Sequence, residues 1–363
     1  MISSSTMTQY LEYRAGRGIL DMIREEGLVP ERIKVFAAPA GGPKWFVSVG
    51  FDRAIIENRF FQRGKGRRVL LAGSSAGAWR CLTMAGRNPA EAHERLRIAY
   101  SRNVFTRKDT PESIGRALKK NVDQFLRDED IESILDHPSL DVAVQVVRAK
   151  GPAASENKMM QGSALLTAAL CNAAGAGGMG LFYERIVFYS GRREPAFLRS
   201  GFRGRTVGLS RENMRSVALA TGSLPYIIEG VRNIHGAPRG TYRDGGLMDY
   251  QLNQDYQPGE GGVTLFFHYQ ERIVPGWFDK KLPWRKPPDG SLDLVLQVYP
   301  GEEFLKILPD GRLPDREDFR RHVDDPSERI RRWDLVAEKS GNLGTEFLND
   351  VESGALRRLV KPL

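Results

Sequence analysis

Residues 69–80 read VLLAGSSAGAWR. Val69 to Ala72 form an apolar run, small residues then crowd around Ser75, and Ala76 to Arg80 can open a helix. Gly73 and Gly77 stand two residues before and two residues after Ser75. This is the G-x-S-x-G spacing of a nucleophile elbow, a sharp strand-to-helix turn that holds a serine hydroxyl at its tip. A serine hydroxyl is a weak nucleophile at its own pKa, so a neighbouring base must take its proton. The same small residues also suit a plain packing turn in which a helix approaches a strand. What favours chemistry is the placement, after an apolar strand and before a helix, as the mechanics of the motif require.

Working outward, RIKVFAAP (32–39) reads as a short buried strand, AGGP (40–43) as a loop and 44–59 as a helix. RRVLLAG (67–73) is a second strand that runs into the elbow. Strand, glycine loop, helix, strand, elbow, helix is the order of an α/β protein with parallel strands and crossover helices. Before it, residues 9–27 read as an opening helix that stops at Gly27. After it, 89–172 reads as a helical insertion, broken at Pro111, Pro138 and 150–154, with LDVAVQVV (140–147) its one strand-like run. ERIVFYSG (184–191), RTVGLS (205–210), GVTLFFHYQ (262–270) and SLDLVLQVYP (291–300) resume the strand pattern, and RENMRSVALATGSLPYI (211–227) is a helix that stops before Pro225. The charged tail carries helical stretches near 314–322 and 326–338. With no clean linker, the expectation is one domain over 1–363: a core of about 32–270, the insertion at about 89–172 and a C-terminal extension over 271–363.

Composition narrows the class. Hydrophobic residues make up 41% and charged residues 27% of 363, which is globular rather than disordered. Cys81 and Cys171 are the two cysteines and neither sits at metal-ligand spacing, so two free thiols in a reducing compartment are expected, with no metal and no cofactor. MISSSTMTQYLEYRAGRGIL (1–20) lacks the continuous apolar core of a secretory signal, which points to the cytoplasm. The net charge of +9 suits an anionic membrane surface, an acidic substrate or a solvated basic face. Basic groups at 63–68, 191–193, 202–205 and 329–332 are scattered and form no nucleic-acid-binding motif. SALLTAALCNAAGAGGMGLF (163–182) is uncharged, and reads as a buried helix ending near Cys171 followed by a glycine loop. Contact with the inner membrane surface is its second reading.

Two further stretches bear on chemistry. In AAPAGGPKW (37–45), adjacent Gly41 and Gly42 at a helix start leave backbone N–H groups that a ligand can approach closely. A developing oxyanion needs such donors, and a phosphate can use them too, although the Walker pattern is absent. A plain strand-to-helix turn is the third reading. In TYRDGGLMDY (241–250), Asp244 precedes Gly245 and Gly246, a run that by itself is an ordinary turn.

Taken together and in this order, GGPK (41–44), GSSAG (73–77), ALATGSLPYI (218–227) and DGG (244–246) resemble the blocks of the patatin-like acyl hydrolases over roughly residues 32–270. The resemblance implies a three-layer α/β/α sandwich with a mostly parallel central sheet. It implies a Ser75–Asp244 dyad without a catalytic histidine, and a fatty-acyl ester of a phospholipid or related lipid as substrate. Proline at 43 supplies no N–H, so the oxyanion donors implied are Gly41 and Gly42, with Ala76 after the serine. Gly73, Gly77, Lys44, Gly245 and Gly246 support the motifs. The chain departs from the family pattern at Lys44, where an arginine is usual, at Pro43 and Trp45, and in LMDYQLN, which lacks the frequent Asn-Pro.

Of the five histidines, only His268 follows Asp244 closely, so an α/β-hydrolase triad of Ser75, Asp244 and His268 is the alternative. A non-catalytic lipid-binding module on the same fold, or a nucleotide-binding protein using AGGPK, are the rivals from other classes.

Overall fold

Residues 33–38 are apolar except Lys34 and residues 69–74 are apolar up to Ser74, the pattern of strands covered from two sides. In the computed structural model of the protein, which describes residues 8–63, 67–199 and 202–363, both lie in the middle of one sheet. Its strands are β1 (Leu11–Ala15), β2 (Ile33–Ala38), β3 (Val69–Ser74), β4 (Leu140–Ala149), β5 (Tyr183–Tyr189), β6 (Arg205–Gly208), β7 (Val231–Arg232), β8 (Thr241–Asp244), β9 (Val263–Phe267), β10 (Val295–Pro300) and β11 (Val360–Pro362). The spatial order is β11-β1-β10-β9-β2-β3-β4-β5-β6. The run β10-β9-β2-β3-β4 is parallel throughout, while β1 joins β10, and β5 joins β4, antiparallel. The chain is therefore an α/β protein with a mostly parallel central sheet.

The register along β4 positions the rest. The first half of β4 pairs parallel with β3, ending at Ser74 opposite Gln145. Its second half pairs antiparallel with β8, beginning at Asp244 opposite Val146. Because β5 occupies the other edge of β4 over residues 143–149, β3 and β8 share one edge and meet end to end. Two adjacent residues of one strand thus bring positions 74 and 244 together.

One face of the sheet carries the main core, in which Phe36, Leu71, Phe267 and Val298 pack with Phe46, Phe51, Leu82, Trp333 and Phe347 from the helical layer. The helix Ala76–Met84 crosses this layer, and its Arg80 makes a bidentate pair with Asp52 at 2.6 and 2.7 Å, both fully buried. On the other face, Val35, Ala37, Leu70 and Phe266 pack against Phe197, Leu252, Tyr256 and Ile273.

Three expectations change. Residues 9–27 are not one helix: Leu11, Tyr13 and Ala15 alternate inward as β1, and the helix is Leu20–Glu26. The alternation has period two, and β10 and β11 hydrogen-bond on either side of it. The segment 89–172 is not a helical insertion throughout. Helices Pro89–Ser101, Pro111–Phe125 and Asp128–Leu135 are the crossover from β3 to β4, and β4 is a central strand of ten residues. The stretch after 270 is not an appendage. It supplies β10, β11 and the helices Pro326–Lys339 and Gly341–Glu352, whose Trp333 and Phe347 lie in the core.

The basic groups are largely paired within the chain. Arg68 binds Asp141 at 2.6 Å and Arg205 binds Glu184 at 2.8 Å. Arg331 and Arg332 share Glu328, and Arg329 is buried over the Phe319 and Trp333 rings. Residues 64–66 of the first basic group, and residues 1–7 of the N-terminal stretch, lie outside the described residues. No helix among the described residues is long and apolar enough to cross a membrane.

Candidate active site

β3 ends at Ser74, and Ser75 turns the chain with φ 54° and ψ −133° into the helix Ala76–Met84. A non-glycine residue at positive φ is strained and persists only where its surroundings hold it. Three hydrogen bonds do so. Ser74 Oγ donates to the Asp249 carbonyl at 2.6 Å, Ser75 N–H donates to Thr221 Oγ1 at 2.8 Å, and Thr221 Oγ1 donates to the Gln145 carbonyl at 2.7 Å. The glycines of the motif answer to space. A Cβ at Gly77 would lie 2.1 Å from the Ala38 carbonyl oxygen, and one at Gly73 would lie 2.8 Å from the same atom. The helix can begin this close to β2 only without those side chains.

Ser75 Oγ donates to Asp244 Oδ2 at 2.8 Å, and both residues are buried. The other carboxylate oxygen, Oδ1, accepts from Gly246 N–H at 2.7 Å, which fixes the plane of the group. Asp244 N–H donates to the Ser223 carbonyl at 3.0 Å. Thr221 and Ser223, at the end of the helix Met214–Thr221, therefore brace the serine and the aspartate from one turn of chain. Gly245 packs on β4, where a Cβ would meet the Gln145 carbonyl oxygen at 2.1 Å. Burial lifts the Asp244 carboxyl above the usual carboxylate range, against the pull of the Arg316 cation, the Gly246 N–H, the Ser75 hydroxyl and the Lys280 ammonium.

His268 stands apart from this pair. It is fully buried on the sheet, its Nδ1 accepts from Tyr269 N–H at 2.6 Å, and it makes no hydrogen bond to Ser75 or Asp244. Burial holds its pKa well below that of a free imidazole. The triad of Ser75, Asp244 and His268 is not assembled.

Gly42 has φ 55° and lines a cavity of about 880 Å³ together with Ser75, Trp79, Tyr100, Leu118 and Phe319. Neighbouring Gly41 faces a second hollow of about 460 Å³, lined also by Lys44, Arg272, Lys280, Asp315 and Arg316. Tyr269 holds the glycine loop from below: its hydroxyl donates to the Ala40 carbonyl at 2.8 Å, and its ring leaves no room for a Cβ at Gly41. The N–H groups of Gly41, Gly42 and Ala76 have no backbone acceptor among the described residues. Ala76 begins the nine-residue helix, so the positive end of its dipole lies beside Ser75.

Arg316, from the tail, lines both hollows, and Lys44 and Lys280 stand beside it. Lys44 lies over the Tyr269 ring at 5.0 Å and Lys280 over the Tyr250 ring at 4.2 Å. Desolvation, with the Arg316 and Lys44 charges, lowers the Lys280 pKa to about 7. Thr221 lay within a block that the sequence singled out, but its hydroxyl was not. Arg316 carried no local signal at all, since only the folding back of the tail brings it to the glycine loop.

No protein-family model matches the chain, and no curated protein matches it at a significant level.

Proposed function

We propose that the protein is a serine acyl hydrolase that cleaves fatty-acyl esters of phospholipids or related lipids through a Ser75–Asp244 dyad. The observation that carries this reading is the 2.8 Å hydrogen bond from Ser75 Oγ, at the tip of a strained strand-to-helix turn, to a buried carboxylate. As Ser75 Oγ attacks the ester carbonyl, its proton moves to Asp244 Oδ2. The tetrahedral oxyanion takes hydrogen bonds from the N–H groups of Gly42, Gly41 and Ala76. Collapse releases the alcohol, which carries away the proton from Asp244. Water then attacks the acyl-enzyme, Asp244 accepts its proton, and the fatty acid leaves as Ser75 regains its hydrogen.

The surroundings support a lipid ester. The larger cavity beside Ser75 is walled by Trp79, Tyr100, Leu118, Leu224 and Phe319, suited to an acyl chain. The hollow across the glycine loop gathers Lys44, Arg272, Lys280 and Arg316 against Asp315, suited to an anionic head group. The packing of both faces of the mostly parallel sheet is in keeping with a three-layer α/β/α sandwich of the patatin-like kind.

A fluorophosphonate probe tests the reading. It is expected to label the wild-type protein once, at a peptide containing Ser75, and to leave Ser75→Ala unlabelled. An unlabelled wild-type protein that is folded by circular dichroism would leave a binding module in its place.

Arg316 gives a separate handle. Its charge pulls the Asp244 pKa down, and only the ionised carboxylate can accept the serine proton. In Arg316→Ala the acid limb of kcat/KM on a neutral short-chain ester is therefore expected to move to higher pH, and Arg316→Lys to restore much of the wild-type profile. An acid limb that stays in place in Arg316→Ala excludes Asp244 as the group whose ionisation governs the rate.

A further inference from the structure

The helix Lys158–Ala174 is amphipathic with its faces reversed. The stripe turned inward is Gln161, Ala164, Ala168 and Asn172, small or polar residues at helical spacing. The stripe turned outward carries Met159, Leu166 and Leu170, which are 85%, 65% and 63% exposed. Leu181, just beyond the helix, is 70% exposed, and residues 159–183 contain no Asp, Glu, Lys or Arg. A soluble surface helix places its apolar stripe on the core, so this one has its apolar stripe in the wrong place for water. The expectation of a buried helix here is corrected: the large apolar side chains are the exposed ones.

A second observation says what covers them. At the C-terminal end of the helix, Asn172 Nδ2 donates to Asp279 Oδ1 at 2.7 Å, and Arg285 donates to the Asn172 carbonyl. These bonds fasten the segment 277–288, WFDKKLPWRKPP, to the helix. Trp284 is 67% exposed and is flanked by the exposed Lys281 and Lys286, whereas Arg285 is paired with Asp279 and Lys280 lies over the Tyr250 ring in the second hollow. Asp279 is the one acidic residue of the segment, and it is buried against Asn172 and Arg285. An uncharged, exposed apolar stripe on a helix, with an exposed tryptophan and exposed lysines on the segment fastened to that helix, is the arrangement that enters the head-group region of an anionic bilayer.

We propose that the outward stripe of Lys158–Ala174, with Trp284 and its flanking cations, is a docking face for an anionic lipid bilayer. The apolar side chains enter the acyl boundary, the indole sits at head-group level, and the cations meet lipid phosphates. The first turn of the helix that carries this face adjoins the cavity mouth. Tyr226 donates from its N–H to Gln161 Oε1 and from its hydroxyl to the Lys158 carbonyl, and the next residue, Ile227, is exposed and lines the cavity. A bilayer on this face therefore lies beside the entrance leading to Ser75. Only that last consequence rests on the acyl-hydrolase reading, since docking itself needs no catalysis.

The test is co-sedimentation with vesicles of phosphatidylcholine alone and of an equimolar mixture with phosphatidylglycerol, at low and high salt. Binding to the mixed vesicles is expected, with a blue shift of tryptophan emission, and it is expected to weaken as salt screens the cations. Leu166→Gln/Leu170→Gln should reduce partitioning about tenfold or more, and Trp284→Ala by a smaller factor. Both variants should keep the wild-type melting temperature and the wild-type rate on a water-soluble ester. Ser75→Ala should bind vesicles as wild type does, so loss of catalysis and loss of docking are read separately. The proposal fails if the wild-type protein ignores the mixed vesicles or if the leucine pair can be replaced without effect. It fails equally if light scattering shows a wild-type dimer that this replacement dissociates, for the stripe is then covered by a second copy.

Discussion

Ser75→Ala is expected to lower kcat for ester hydrolysis by about 10⁶, the loss that follows deletion of a serine nucleophile. The fold should survive it. The backbone bond from residue 75 to Thr221 Oγ1 and the packing of Gly73 and Gly77 do not involve the hydroxyl. The methyl of alanine keeps the same unfavourable φ of 54°, so the strain remains while the hydrogen bond to Asp244 is lost. Ser75→Gly is the informative companion. It should be as inactive, and more stable than Ser75→Ala by about 1 kcal/mol, because glycine accepts positive φ without strain. Rates on p-nitrophenyl esters and urea denaturation of both variants check this. Retention of a tenth of wild-type kcat in Ser75→Ala would remove Ser75 as the nucleophile.

Asp244→Asn is expected to lower kcat by about 10⁴ or more, since the amide keeps the shape and loses the base. An ordinary aspartate, with a pKa near ~3.9, is a weak base at neutral pH. Burial strengthens this one, and the backbone donors around the glycine loop and Ala76 lower the cost of the oxyanion that it must help to form. The same burial makes a stability prediction of opposite sign. The native carboxyl holds its proton to higher pH than the unfolded one, so stability falls as pH rises from the unfolded value through the folded one. Above that window the native protein carries the full cost of a desolvated charge. Asparagine has no charge to desolvate, so Asp244→Asn should melt above wild type at neutral pH. The two should converge as the pH falls below the unfolded carboxylate value. An inactive variant that melts well below wild type at neutral pH would show Asp244 to be a structural residue.

The parts of the site that could be read along the chain are those held by local geometry. The elbow is one, because Gly73, Ser75 and Gly77 act within a single turn, where spacing along the chain is spacing in space. Strands β2 and β3 were equally legible, since burial on two faces leaves the apolar runs Val35–Ala38 and Val69–Ala72. The stretch 9–27 was misread because Leu11, Tyr13 and Ala15 make only five residues of alternation before a true helical pattern begins. Nothing local distinguishes such a short strand; its partners are β10 and β11, more than 270 residues further along. β8 is shorter still, four residues ending at Asp244, and by itself it reads as a turn.

Residues 163–182 show the opposite limit. Their lack of charge was plain, but which stripe of the helix faces water depends on what the rest of the chain offers it. The neighbours here are Tyr226, Asp279 and Arg285, polar partners for Gln161 and Asn172, so the leucines turn outward.

By itself, then, the chain determined an α/β order of elements and a serine on a strand-to-helix turn, both consequences of short-range sterics and hydrophobic periodicity. Only the tertiary structure decided which group faces that serine. Register on β4 sets Ser74 opposite Gln145 and Asp244 opposite Val146, which brings the aspartate to 2.8 Å from the hydroxyl and leaves His268 on the sheet without a bond to either. Strand pairing between segments some 100 residues apart is a property of the whole fold, because each hydrogen-bonding position along a strand edge can be filled only once.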